Sequence, residues 1–199
     1  MALDSYAGLL SSIAGWLMRD DLTAVIPDFV TLAEADMNAR LRLRAMLTTA
    51  TLDDAGEALP ADFMAAKSVH LADWGNLEFA TAGELADFDE GYAGGAARWY
   101  GIDGDSLTIS PAQTGGGTVT LRYYARIPAL SDSNTSNHVL VASPALYLYG
   151  ALAQSAPYLL DDARLQTWGM LYTQAADLLQ AADDAAEHPG PLVIRGTPW

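Results

Sequence analysis

The spacing of apolar residues changes period twice along this chain. Tyr6, Leu9, Leu10, Ile13 and Leu17 recur at helical spacing behind Ser5, whose side chain can cap free amides, so a helix is predicted over about 5–19. Pro27, tolerated in a first turn because its missing N–H has no intrahelical partner there, opens a second helix. Its stripe is Val30, Ala33, Met37 and Leu41, with Glu34 and Asp36 elsewhere on the cylinder. From Met46 to Leu52 the threonines Thr48, Thr49 and Thr51 supply β-branched positions and the pattern becomes strand-like.

Asp53-Asp54-Ala55-Gly56 reads as a turn, and Leu59-Pro60-Ala61-Asp62 as a break before a mixed strand over Phe63–Leu71. Leu77–Ala80 is a short strand at best. Thr81 with Glu84 three positions on forms a capping box, predicting a short helix over 82–89. Arg98–Ile102 and Ser106–Ser110 form a hairpin around Asp103-Gly104-Asp105. A second hairpin, turning at Thr114–Gly117, leads onto Thr118–Tyr124, where Val119, Leu121 and Tyr123 alternate with polar neighbours. The middle of the chain is thus expected to be a small antiparallel sheet carrying one helix.

After a polar loop over Ser131–Asn137 the helical period returns. Leu146, Tyr149, Gly150, Ala153 and Ala156 mark a helix that is apolar almost all round, hence buried on more than one side, and Pro157 ends or kinks it. Beyond Asp161-Asp162, the residues Leu165, Trp168, Tyr172, Ala175, Leu179 and Ala182 repeat in heptads, with Leu171 and Leu178 widening the face, until His188-Pro189-Gly190-Pro191. The expected fold class is therefore α+β: mainly a bundle of N- and C-terminal helices with an inserted small antiparallel β-rich domain. The expected division is 1–45 and 131–188 for the bundle, 46–130 for the insertion, and 189–199 for an extended arm. That arm, Leu192-Val193-Ile194-Arg195-Gly196-Thr197-Pro198-Trp199, is too apolar for a free tail. A strap on its own subunit is the plain reading, and docking on a neighbour the preferred one.

Composition narrows the function. In 199 residues, 25 acids against 10 bases give a net charge of −15. Phosphate attraction supplies most nucleic-acid affinity, so this balance argues against a dedicated nucleic-acid binder, although solubility alone explains it too. Arg40, Arg42 and Arg44 are three of the ten bases. Charge compensation at a helix C-terminus is the favoured reading of this cluster, with a band facing DNA or an acidic partner as the alternative. There is no cysteine, which removes disulfides and thiolate chemistry. No basic region precedes the first apolar run, and Pro144–Ala153 is half the roughly 20 residues of a membrane span, so a soluble protein made in the cytoplasm is expected.

The search for catalytic chemistry returns little. His70, His138 and His188 have no metal-ligand spacing. Asp103-Gly104-Asp105 lacks the closing acid of a calcium loop, and Gly115-Gly116-Gly117 lacks the lysine of a phosphate loop. A carboxylate pair of the glycosidase kind could draw on Glu34, Glu57 or any other acid, which is no signal. No enzyme activity and no cofactor are expected.

One long stretch carries a resemblance. "YYARIPALSDSNTSNHVL", "SPALYLYGALAQSAPYL" and "DDARLQTWGMLYTQAADLL", in that order over 118–180, resemble the head–tail adaptor proteins of short-tailed bacteriophages. Their matching block is a YYxRIPxLS strand end, a D-S-N-T-N-type loop, a helix with YLYGAL and a DD-x-R-L-x-x-W helix. "LPADFM" at Leu59–Met64 agrees as well. The resemblance implies a structural virion protein: a head-completion connector forming a dodecameric ring between the portal protein and the tail tube or nozzle. It would be a conduit for double-stranded DNA during genome ejection, with no membrane partner. Partner contacts are then expected at Arg126, Asp132, Asn134 and Asn137 on the loop and at Leu192, Ile194 and Trp199 on the arm. Arg40, Arg42 and Arg44 would be a channel or partner band. The alternatives are a virion-associated peptidoglycan hydrolase and an assembly factor absent from the mature particle.

Overall fold

A computed structural model describes residues 3–19, 21–53, 58–72, 74–91, 95–111, 117–159 and 162–187. They fall into two compact units, one built from residues 46–126 and the other from the chain on either side of it.

The flanking unit is helical. Helix α1 (Tyr6–Leu17) starts where Ser5 accepts from the Gly8 amide at 3.3 Å, and it stops at Met18, whose left-handed φ of 53° lets its amide close onto Ala14 and Gly15. Helix α2 (Ile26–Arg40) carries Pro27 in its first turn. Its buried row is Ile26, Phe29, Val30, Ala33, Glu34 and Met37, so Glu34 stands on the core face and not on the outer side the apolar stripe suggests. The helical unit is completed by three further helices, named here α4 (His138–Ala142), α5 (Pro144–Leu159) and α6 (Asp162–Glu187) because α3 lies in the other unit.

Helix α5 is the centre of this core. Leu146, Tyr147, Ala151, Leu152 and Ala156 are all but sealed from water. Pro157 sits in its last turn, where the loss of one backbone bond is tolerated, and does not end it. The buried residues of α6 are Trp168, Tyr172 and Ala176, four apart, while Leu165, Leu178 and Ala182 are exposed. The contact row is therefore the i, i+4 row of a straight helix and not the heptad seam read from the sequence. Gly150 marks the tightest approach: a Cβ there would lie 3.1 Å from the Ala33 Cβ on α2 and 3.1 Å from the Tyr172 ring on α6.

The other unit overturns the expected fold class. The chain is a mixed α/β protein, with six α-helices and a six-stranded sheet among the described residues, and not a helical bundle with a small antiparallel insertion. The strands are β1 (Leu47–Asp53), β2 (Phe63–Leu71), β3 (Gly75–Phe79), β4 (Trp99–Asp103), β5 (Ser106–Ser110) and β6 (Thr118–Ala125), in the order β1-β6-β2-β3-β4-β5. Helix α3 (Ala82–Gly91) carries the chain across between β3 and β4, so these two run parallel and the sheet is mixed. The capping box holds α3 as expected: the Thr81 amide and hydroxyl both donate to Glu84 at 2.8 Å, and these bonds keep the Glu84 carboxyl below its ordinary value.

The second hairpin is also corrected. Strand β6 does not pair with β5; it inserts between β1 and β2, antiparallel to both. Its alternating Val119, Leu121 and Tyr123 are buried, which favours a central place, and β5 is left at the far edge. With Leu52, Val69, Leu71, Tyr100, Leu107 and Ile109 they form a core belonging to this unit alone.

The close fit at Gly150 gives a test. Tyr172 cannot swing away, because its hydroxyl donates to Asp36 at 2.6 Å. Gly150→Val should cost about 1–3 kcal/mol by overpacking, read as a lower urea midpoint with an unchanged slope.

Candidate interaction site

Among the described residues, the most heavily fastened irregular segment is 127–137, which links β6 to α4. Glu34 and Asn38, one turn apart on α2, face the same way and act as two receivers. The Ile127 amide donates to Asn38 Oδ1 at 2.8 Å, and the Leu130 amide donates to Glu34 Oε1 at 2.9 Å. Ile127 and Leu130 are both buried, so the backbone is pinned where its apolar side chains enter the core.

A second tier holds the far end. Tyr147, buried on α5, donates its hydroxyl to the same Glu34 oxygen at 3.0 Å. Asn137 Nδ2 spends its two protons on the Tyr147 hydroxyl oxygen at 2.6 Å and the Pro128 carbonyl at 2.8 Å. Asn137 Oδ1 accepts from the Leu140 amide and caps α4. Asn134 Nδ2 donates to the Ala129 carbonyl at 2.7 Å, the Asn134 amide donates to Ser131 Oγ at 3.0 Å, and the Ser131 amide donates to the Asn134 carbonyl at 3.0 Å. The Tyr6 amide at the head of α1 donates to the Thr135 carbonyl at 2.7 Å. What remains exposed is a firm rim: Pro128, Ala129, Asp132, Ser133 and Thr135.

Electrostatics follow burial. Burial raises the Glu34 carboxyl above its ordinary value, against the lowering pull of its bonds from Leu130 and Tyr147. The Tyr147 hydroxyl is raised far above the usual tyrosine range, mainly by burial. Tyr6 is raised by burial and then by the nearby charges of Asp132, Glu34 and Asp28. His138, the first residue of α4, is lowered by burial, and its Nε2 has no partner.

In the sheet unit, the "LPADFM" segment meets the end of β6. The Tyr123 hydroxyl, pushed up to about 12 by burial and by Asp62, donates to Asp62 Oδ1 at 2.9 Å. The Arg126 amide donates to the Asp62 carbonyl at 2.8 Å, which leaves the Arg126 side chain exposed.

Of the residues singled out in the sequence, Arg126 and Asp132 are displayed to solvent and Asn134 is half-buried. Asn137 is only 8% exposed, and its side chain is committed inside the unit. Leu192, Ile194 and Trp199 lie outside the described residues, as do His188 and Glu57. Arg40 pairs with Asp36 at 2.8 Å and lies over the Tyr172 ring. Arg42 donates to the Asn38 and Leu41 carbonyls, while its backbone exchanges bonds with Gln180 on α6. Arg44 pairs with Asp183 at 3.2 Å and reaches the Ala186 carbonyl. All three guanidiniums are engaged within the unit. Glu34, Asn38 and Tyr147 were missed as positioning residues, because the partners of Glu34 are 96 and 113 positions away.

The family model of the SU10 adaptor protein matches residues 4–195, nearly the whole chain. The chain belongs to the SU10 adaptor protein family. The likeness to phage head–tail adaptors seen in 118–180 therefore extends across both units. Membership gives it a structural role as a phage adaptor, in the virion and in company with other head and tail proteins. No curated protein matches the chain. Among the described residues, no helix is long and apolar enough to cross a membrane, and no group of acids or histidines could hold a metal ion.

Two measurements check the clamp. Asn137→Ala removes a helix cap and leaves the Pro128 carbonyl unpaired, so it should cost about 2–4 kcal/mol. Asn134→Ala, losing an exposed bond, should cost about 1 kcal/mol or less in the same urea titration. Glu34 sets a pH dependence. The folded chain holds its proton more tightly than the unfolded chain, so its contribution is greatest below the ordinary value of 4.5 and is lost as pH rises through the raised folded value. The stability difference between the native chain and Glu34→Gln should therefore move against the native chain above pH 4.5, where parallel curves would refute the assignment.

Proposed function

We propose that this chain is the head–tail adaptor that assembles as a ring beneath the portal, the dodecamer that the family resemblance implies, and forms the platform for the tail tube or nozzle. The family match over 4–195 carries the reading. The pinned segment 127–137 supports it, because a rim held by five separate side chains loses little conformational freedom when a partner covers it. Arg126 and Asp132 are the loop residues we assign to that contact. Leu192, Ile194 and Trp199 are assigned to an arm that reaches a neighbouring subunit or the portal.

The charge suits a conduit. A formal charge of −15 on each copy makes a passage that repels DNA phosphate and lets the duplex slide. Arg40, Arg42 and Arg44 are tied to Asp36, α2 carbonyls and Asp183, which favours their service to the helical unit over a basic band facing DNA. Head-to-tail rings need two different patches on each subunit. The helical unit offers exposed apolar residues for them, including Trp16, Met18, Val141 and Tyr158.

A cryo-EM reconstruction of the virion neck tests the reading. A ring of this chain between portal and tail is the expected result, with Asp132 at a contact. A neck without the chain would overturn it. Asp132→Arg should lower incorporation into particles while changing the stability of the free chain by about 0.5 kcal/mol or less.

A further inference from the structure

The core of the sheet unit lies on the face that carries Val69, Tyr100, Ile109, Val119 and Leu121. On the opposite face α3 sits against β4 and β5. A Cβ added at Gly101 would run into Leu85, Phe88 stacks on Trp99, and Ser110 donates to Asp89 at 2.7 Å. Over β1, β6 and β2 that same face stands in water. Arg122 is in register between Thr49 of β1 and Ser68 of β2, and Thr120 between Thr51 and His70. Lys67, where the register of β2 shifts, donates to the Tyr124 hydroxyl at 3.4 Å and lies over its ring, which places its ammonium on this face as well. Arg122, Lys67 and His70 are all exposed. These positions hold two cations, a histidine and hydroxyl groups but no carboxylate, in a chain with 25 acids against 10 bases.

The outer side of α3 is the electrostatic counterpart. The helix carries Glu84, Asp87, Asp89 and Glu90, all exposed, and no base. Glu84 closes the capping box and Asp89 accepts from Ser110. Asp87 and Glu90, three positions apart, stand on the side of the helix away from Leu85. Like charges at that spacing repel, and a carboxylate in the last turn faces the negative end of the helix dipole. These two acids therefore cost the helix stability, and cations set against them offset that cost.

We propose that the exposed face of β1, β6 and β2 on one copy of this chain receives the outer side of α3 on the next copy, with Arg122 and Lys67 opposite Asp87 and Glu90. The inference rests on the ring reading and names the contact between its subunits. The two patches are different and both belong to one subunit, as a head-to-tail contact requires. Each copy carries a net charge of −15, so the cationic face is where a second copy approaches with least repulsion. Complementary charge of this kind sets partner and register more than raw affinity, which suits copies that stay apart until they are gathered in the particle.

Lys67 is the only lysine of the chain, which makes the contact open to a zero-length cross-linker. Purified particles are treated with a carbodiimide, which joins an amine directly to a carboxylate, and run on denaturing gels. The expected products are dimers and longer multiples of the chain, with the link mapped by mass spectrometry to Lys67 and either Asp87 or Glu90. Lys67→Arg keeps the charge but does not couple, and should remove that link. A Lys67 linked to another virion protein, linked only within its own chain, or not linked at all overturns the contact and leaves the adaptor reading standing. Particles that lack the chain overturn the adaptor reading itself. A charge exchange gives a second readout. Arg122→Glu should lower incorporation into particles about tenfold, and adding Asp87→Arg and Glu90→Arg to the same chain should restore it to within about twofold. The urea midpoint of each free variant shows that it is folded. Incorporation that Arg122→Glu leaves unchanged overturns the proposal, and a loss that the α3 exchange does not repair overturns it in favour of another acidic partner.

Discussion

The carboxylate of Glu34 is the constraint on which the rest of the helical unit depends. It stands in the buried row of α2 with Phe29, Val30 and Met37, where a bare charge or an unpaired polar group would be costly. The cost is met by two donors, the Leu130 amide and the Tyr147 hydroxyl, and these lie on different parts of the chain. Satisfying one buried oxygen therefore fixes the relative positions of α2, α5 and the segment that follows β6. Asn137 extends the same logic, since its amide satisfies Tyr147 and Pro128 while its carbonyl starts α4. A half-satisfied version of this network would be worse than an apolar core, which makes the arrangement all-or-none.

That property connects stability with display. Loops usually hold binding residues by virtue of a rigid scaffold beneath them, and here the scaffold reaches into the loop itself. Asp132 and Ser133 are presented between Leu130, buried behind them, and Asn137, buried ahead. The sheet unit treats the strand end similarly, with Asp62 holding the Tyr123 hydroxyl and the Arg126 amide, so that the Arg126 side chain faces solvent.

Part of the surface charge is engaged within the fold. The three arginines at the end of α2 look like a nucleic-acid feature when read in line, yet Arg44 meets an acid of α6 and Arg42 meets a glutamine of the same helix through its backbone. They fasten the ends of two helices that are remote in sequence. The outward face of α6 is the opposite case: residues that look like core by composition stand in water, because α6 meets the rest of its unit along the Trp168, Tyr172 and Ala176 row.

What the sequence determined by itself was local. Ser5, Pro27, Thr81 with Glu84, and the alternation of Val119, Leu121 and Tyr123 each act within a few residues, and each set its element as read. The family wording of 118–180 was legible for the same reason, as an ordered run of residues. Only the tertiary structure decided which strands are neighbours, because α3 makes β3 and β4 parallel and β6 pairs with β2 across roughly fifty to sixty residues. It also decided that Asn137 faces inward and that Glu34 is a receiver and not a surface acid. Those outcomes rest on hydrogen bonds between α2 and residues about a hundred positions later, and no periodicity records an interaction at that separation.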